Sequence, residues 1–182
     1  LEDLQLEFPA IQIIQLPARQ KKGEVYSTNE RNKLVSYSTM IDALIQKLKP
    51  VVQNQNVIVS IEGMAYGAQG NALVDIALAT GMVRKAILDH LLNGEANRLF
   101  IFSPSELKNA IGAKGNANKF DIFNQFKTDP KINAVKESAL YQLINKYEDL
   151  IVKGTEIKSP FPDMIDSYLA ALKIHESLKE PN

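Results

Sequence analysis

The chain has 182 residues, 45% of them hydrophobic and 23% charged, which predicts one globular domain spanning 1–182 with a sizeable core. Its 21 basic residues balance 21 acidic ones, so net charge points to no nucleic-acid partner; such a surface has to come from local clustering. Absence of cysteine excludes a disulfide framework and a thiolate metal site, and no apolar run approaches the ~20 residues of a membrane span, so a cytoplasmic protein is expected.

Leu4–Phe8 alternates as a strand does, and Ala10–Leu16 reads as a second strand after Pro9. Gln20–Glu30 is polar, carries Gly23 and reads as a loop. Between Asn32 and Leu48 the residues Leu34, Val35, Tyr37, Met40, Ile41, Leu44, Ile45 and Leu48 recur at three- and four-residue spacing. That predicts an amphipathic helix, with Pro50 just past its end. Val57–Ile61 is apolar, rich in β-branched residues and closes on Glu62, which predicts a short buried strand with a carboxylate at its carboxyl end. Strand ends are where α/β folds keep their chemistry. On this stretch alone, a strand-end carboxylate and an acid that merely starts a loop carry equal weight.

Gly63–Asn71 is a glycine-rich loop, and Ala72–Leu92 reads as a helix in which Ala77, Ala79, Gly81 and Ala86 leave room for close packing. Leu99–Phe102 reads as another short buried strand. Ser103, Pro104 and Glu106 form a helix start, with Ser103 as N-cap and Glu106 closing a capping box. The helix Ser105–Ile111 is interrupted by Gly112–Asn116, and a further helix starts near Asn118. After a polar link at Thr128–Lys136, helical spacing resumes over Glu137–Leu150 and stops at Lys153-Gly154. Thr155–Pro162 reads as a loop, and Asp163–Leu178 as the last helix.

That helix opens with Asp163 and Asp166, which at i and i+3 share one side. Helix capping accounts for Asp163. It accounts less well for Asp166, which precedes the apolar run that has to face the sheet. With Glu62 they make a set suited to hard divalent cations bound through oxygen. Two such ions clamp the attacking and leaving oxygens of a phosphodiester in two-metal sites.

The order of these blocks resembles that of the RuvC-type Holliday-junction resolvases, a branch of the ribonuclease H fold. Ile61–Gly67, continued through Asn71–Leu73 to Ala79–Gly81, is similar to the family's second catalytic motif and the helix behind it. Ser103–Lys108 followed by Gly115–Lys119 resembles the third block, in which two functional lysines stand eleven positions apart, as Lys108 and Lys119 do. Asp163–Ala170 resembles the terminal acidic motif. Four blocks in the right order, over roughly Asn32 to Ser177, make the signal.

The resemblance implies an α/β fold: a ribonuclease H-like mixed sheet flanked by helices, with its first strand missing from the chain. It implies a metal-dependent endonuclease that nicks branched DNA, four-way junctions above all. Glu62, Asp163 and Asp166 would be metal ligands for two Mg²⁺ ions, with Mn²⁺ as a substitute. Lys108 and Lys119 would meet phosphate or developing negative charge. Lys114 is a further candidate for phosphate contact, with equal weight on a solvated loop lysine. Tyr66 would stack on an unpaired base at the branch point, or else anchor its loop. A homodimer through the helix Asn71–Leu92 is implied, in a bacterial or phage-infected cell.

Two departures from the family's pattern matter. Its first motif, an acid in the first strand, is not matched by Glu2, Asp3 or Glu7, so that acid is expected to precede the chain or to have been lost. The second is a helical insertion over residues 131–153, which hints at a viral or mobile-element version. The alternatives are a catalytically inactive ribonuclease H-like module that binds branched DNA, and a nuclease of this fold with another nucleic-acid substrate.

Overall fold

A computed structural model describes residues 23, 25–53, 56–64, 70–128, 141–142, 144–146, 148 and 152–178. The predicted strands at Leu4–Phe8 and Ala10–Leu16 lie outside them, as does Tyr66. The described residues divide into two compact units, one of 23–59 and 70–99, the other of 60–64 and 100–178. The elements form a mixed α/β arrangement, mostly helical, with two two-stranded sheets among the described residues. No helix among them is long and apolar enough to cross a membrane.

In the first unit, α1 (Tyr26–Val52) packs against α2 (Asn71–His90). Helix α1 is longer at both ends than its apolar spacing predicts. It begins six residues early, inside the predicted loop, because nothing after Gly23 breaks a helix and Lys33 anchors this end. The Lys33 ammonium bridges Glu30 one turn back and Asp75 on α2, each at 2.9 Å. Pro50 lies within the helix rather than past it. So near the end, the lost amide donor and fixed φ of proline disturb little. The buried stripe is narrower than expected: Tyr37, Ile41 and Ile45 are buried, whereas Leu34 and Val35 are exposed.

Strand β1 (Val59–Glu62) pairs with β2 (Leu99–Phe102), and all but their first residues belong to the second unit. The Gly63 amide donates to the Phe102 carbonyl at 2.6 Å, so the carboxyl ends of the two strands lie side by side. Strand β2 is less buried than its composition predicts: Phe102 is buried but Ile101 is exposed.

Helix α3 (Pro104–Ala110) starts as the sequence predicts, with Ser103 as N-cap, Pro104 in the first turn and a complete capping box to Glu106. Helix α4 (Lys119–Thr128) opens on a second reciprocal cap. The Asn118 side chain accepts from the Asp121 amide at 2.9 Å, and Asp121 accepts from the Asn118 amide at 3.3 Å. Within the predicted insertion, residues 141–142, 144–146 and 148 are helical, and Ile144 is fully buried. An ion pair from Lys127 to Glu148 ties this segment to α4.

A hairpin reaches into the predicted loop Thr155–Pro162, with its second strand there and its first strand before Gly154. Strand β3 (Val152–Lys153) pairs antiparallel with β4 (Glu156–Ile157) across the two-residue link Gly154-Thr155. Gly154 holds φ 63°, as the first central residue of a tight hairpin turn requires. Helix α5 (Phe161–Ser177) starts two residues before the expected Asp163, with Pro162 in its first turn. Its apolar face joins Phe102, Leu107, Phe123 and Phe126 in one core. There Tyr168 meets Phe126 edge-on at 5.3 Å between ring centres.

Candidate active site

The second unit brings together residues from four elements around one end of β1. Glu62 closes β1 and stands where Gly63 and Phe102 hold the two strand ends together. A Cβ on Gly63 would lie 3.0 Å from the Phe102 carbonyl oxygen, so only glycine allows this approach at ordinary contact distances. Glu62 counts as exposed, yet enough protein surrounds the carboxyl for burial to be the first cause that raises its pKa. The charges of Asp166 and then Asp163 raise it further, and those of Lys108 and Lys119 oppose them. Strand and helix thus place three acids within range of one another, 101 and 104 positions apart in the chain (163 − 62 and 166 − 62).

Helix α5 positions its two acids through its core face. Pro162, Met164, Ile165, Tyr168 and Leu169 are buried, which leaves Asp163 exposed and Asp166 half-buried at the edge of the packed face. The Asp163 carbonyl accepts from the Ser167 hydroxyl at 2.9 Å within the helix. Burial raises the Asp166 pKa first; the Lys119 charge opposes it, Asp163 adds to it, and Lys108 lowers it. An acid held half-buried beside another acid is disfavoured as a carboxylate unless a cation compensates it.

The lysines do not share one environment. Lys119 is exposed on the first turn of α4, and its charge acts on both Glu62 and Asp166. Lys108 is half-buried, and its ammonium donates to the carbonyls of Ala117 at 2.9 Å and Gly115 at 3.2 Å. Lys114 is exposed in the loop between them, and it is not among the charges acting on either acid. Sequence reasoning missed the clasp of Lys108 on the loop and the close approach at Gly63. Spacing carries no sign of the first; a glycine directly after a strand-end acid is a readable sign of the second.

Among the described residues, no group of three or more His, Cys, Asp or Glu side chains closes around a point where one metal ion would sit. The chemistry of the three acids is that of oxygen donors. In Glu62 and Asp166 burial and the neighbouring acids raise the pKa, against the opposing charges of Lys119 and Lys108. Mg²⁺ commonly takes only one or two carboxylates and completes its shell with water and substrate phosphate. No protein-family model, no curated protein and no solved structure matches the chain.

Proposed function

We propose that the chain is a ribonuclease H-like domain that nicks branched DNA, four-way junctions in particular, by metal-dependent phosphodiester hydrolysis. One observation carries the reading. Glu62 at a strand end, Asp163 and Asp166 at a helix start, and Lys119 at another helix start act on one another electrostatically. A fold gains no stability from grouping three acids, so the arrangement fits a site that takes up a cation.

Glu62, Asp163 and Asp166 would hold the divalent ions, Mg²⁺ by preference and Mn²⁺ as a substitute. When bound, such ions supply a water nucleophile of lowered pKa and offset the charge that develops on the leaving 3′ oxygen. Around them the protein binds and orients. Lys119, whose charge acts on Glu62 and Asp166, would draw the backbone in and offset negative charge during bond cleavage. Lys114, exposed in its loop, would add a further phosphate contact. Exposed Ala77 and Gly81 on α2 give a second copy a surface of close approach, which suits a homodimer acting on opposed strands.

The experiment is cleavage of a labelled synthetic four-way junction, with Mg²⁺ and with chelator, beside a linear duplex of the same arms. Paired nicks near the branch, dependent on metal, are the expected result. Tight junction binding without a cut in either condition would replace the nuclease with a binding module. Equal cutting of the duplex would remove the selectivity for branches.

A further inference from the structure

The loop from Gly112 to Asn118 carries Lys114 and delivers the chain to Lys119, yet it holds no regular structure of its own. Much of its hydrogen bonding runs to Lys108. The main-chain carbonyl of Lys108 accepts the amides of Ala113 at 3.0 Å and Ile111 at 3.3 Å, where Gly112 turns the chain at φ 70°. The ammonium of the same residue reaches forward to the carbonyls of Gly115 and Ala117. Between these two grips, the Ala117 amide donates to the Lys114 carbonyl at 2.8 Å and closes the turn. Asn118 and Lys119 follow at once, and the Asn118–Asp121 cap starts α4. The Gly112 amide adds a bond to the Asn109 carbonyl at 2.9 Å, so Lys108 shares the near end of the segment and grips its far end with its side chain.

From this geometry we infer that Lys108 is a positioning residue, which holds the 112–118 loop and through it sets Lys119 against the acids, rather than a phosphate ligand. An ammonium has three N–H donors, and two of them are turned toward loop carbonyls. Hydrogen bonds from a charged donor are about twice as strong as neutral ones, which suits a pin better than a neutral side chain would. The consequence for DNA rests on the nuclease reading above; the pin itself does not.

The test uses Lys108→Met, which keeps the length of the stem and removes the donors, with Lys108→Arg as the conservative variant. Amide hydrogen exchange is read at Ala117, with the buried helical amide of Leu169 as the reference for global stability. Loss of two charge-assisted bonds should speed Ala117 exchange roughly ten- to a hundredfold in Lys108→Met, with Leu169 unmoved and Arg restoring most of the protection. Unchanged exchange at Ala117 would overturn the inference. In parallel, binding to a four-way junction in chelator is measured for Lys108→Met, Lys119→Met and the double variant. A positioning role predicts that the double variant loses no more than about threefold beyond Lys119→Met alone. Fully additive losses would show that Lys108 meets phosphate itself, and would overturn it too. Should the wild-type chain bind no junction, the nuclease reading falls and the exchange result alone decides whether Lys108 is the pin.

Discussion

The Gly63 amide nitrogen lies 2.6 Å from the Phe102 carbonyl oxygen, and this bond fixes the end of β1 on which Glu62 stands. A methyl group at position 63 would meet the same oxygen at 3.0 Å and the Ile101 Cγ2 at 3.7 Å. The oxygen belongs to backbone and has no rotamer in which to retreat. Gly63→Ala therefore has to part the strand ends. The expected cost is about 1–2 kcal/mol, or roughly 2–8 °C in Tm for a chain of this size. Junction cleavage should fall more than junction binding, because the carboxylate moves while Lys119 does not. An alanine variant with wild-type Tm and wild-type cutting would detach Gly63 from the site.

Glu62→Gln tests the acid group without relying on activity alone. A raised carboxyl pKa means that the ionised form is disfavoured by folding, so the penalty is present above the folded pKa. It is relieved as pH falls through that value. In chelator at pH 7, removing the charge should leave the protein at least as stable, with Tm higher by ~1–2 °C after allowing for solvent screening at an exposed residue. Added Mg²⁺ should raise the Tm of the wild type and leave the Gln variant nearly unmoved. The Tm difference in chelator should close as pH drops toward 4. Equal Mg²⁺ shifts in both proteins would take Glu62 out of the cation site.

What the sequence made legible follows the physics of each signal. The Ser103–Glu106 capping box was readable in full because every atom it needs lies within four residues. Helices α2, α4 and α5 and strand β2 followed from periodicity and short apolar runs. The early start of α1 was not readable, since Lys33 finds Asp75 forty-two positions away. Propensity alone gave the polar stretch before it to a loop. The hairpin at Gly154 hid behind strands of two residues each, too short to show alternation. At the site, residue types and order pointed to Glu62, Asp163 and Asp166, and the electrostatics place them within range of one another. The role of Lys108 was beyond reach, because carbonyl acceptors leave no trace in side-chain identity.

The capping box yields a stability prediction with a defined pH dependence. Glu106 accepts from both the hydroxyl and the amide of Ser103, at 2.7 Å each, and these bonds hold its pKa below the ordinary glutamate value. A lowered carboxyl pKa contributes stability above the unfolded value, and that contribution is lost as pH falls through the folded value. Ser103→Ala should cost about 1 kcal/mol, near 2–4 °C in Tm at pH 7. Glu106→Gln should also lower Tm at pH 7, and its difference from wild type should shrink as pH falls below the ordinary glutamate value. A difference that does not change with pH across the whole carboxylate range would show that the charge of Glu106 takes no part.

Lys119 offers the sharpest test of the DNA-facing edge. Its charge reaches Glu62 and Asp166, and its side chain is exposed on the first turn of α4, where it is free to turn toward a phosphate. A lysine that neutralises one phosphate of duplex DNA releases its counterion, so log Kd against log salt loses about 0.9 of slope when that lysine is removed. Lys119→Met should therefore weaken junction binding most at low salt, and its curve should converge on that of the wild type as salt rises. Substitution also removes a cation that lowers both acid pKa values, so chelated Lys119→Met should show further elevated carboxyl titrations in NMR. A parallel salt line, shifted but of unchanged slope, would mean that Lys119 serves the acids and touches no phosphate. The nuclease reading would then have to draw its backbone contacts from Lys114 and its neighbours in the loop.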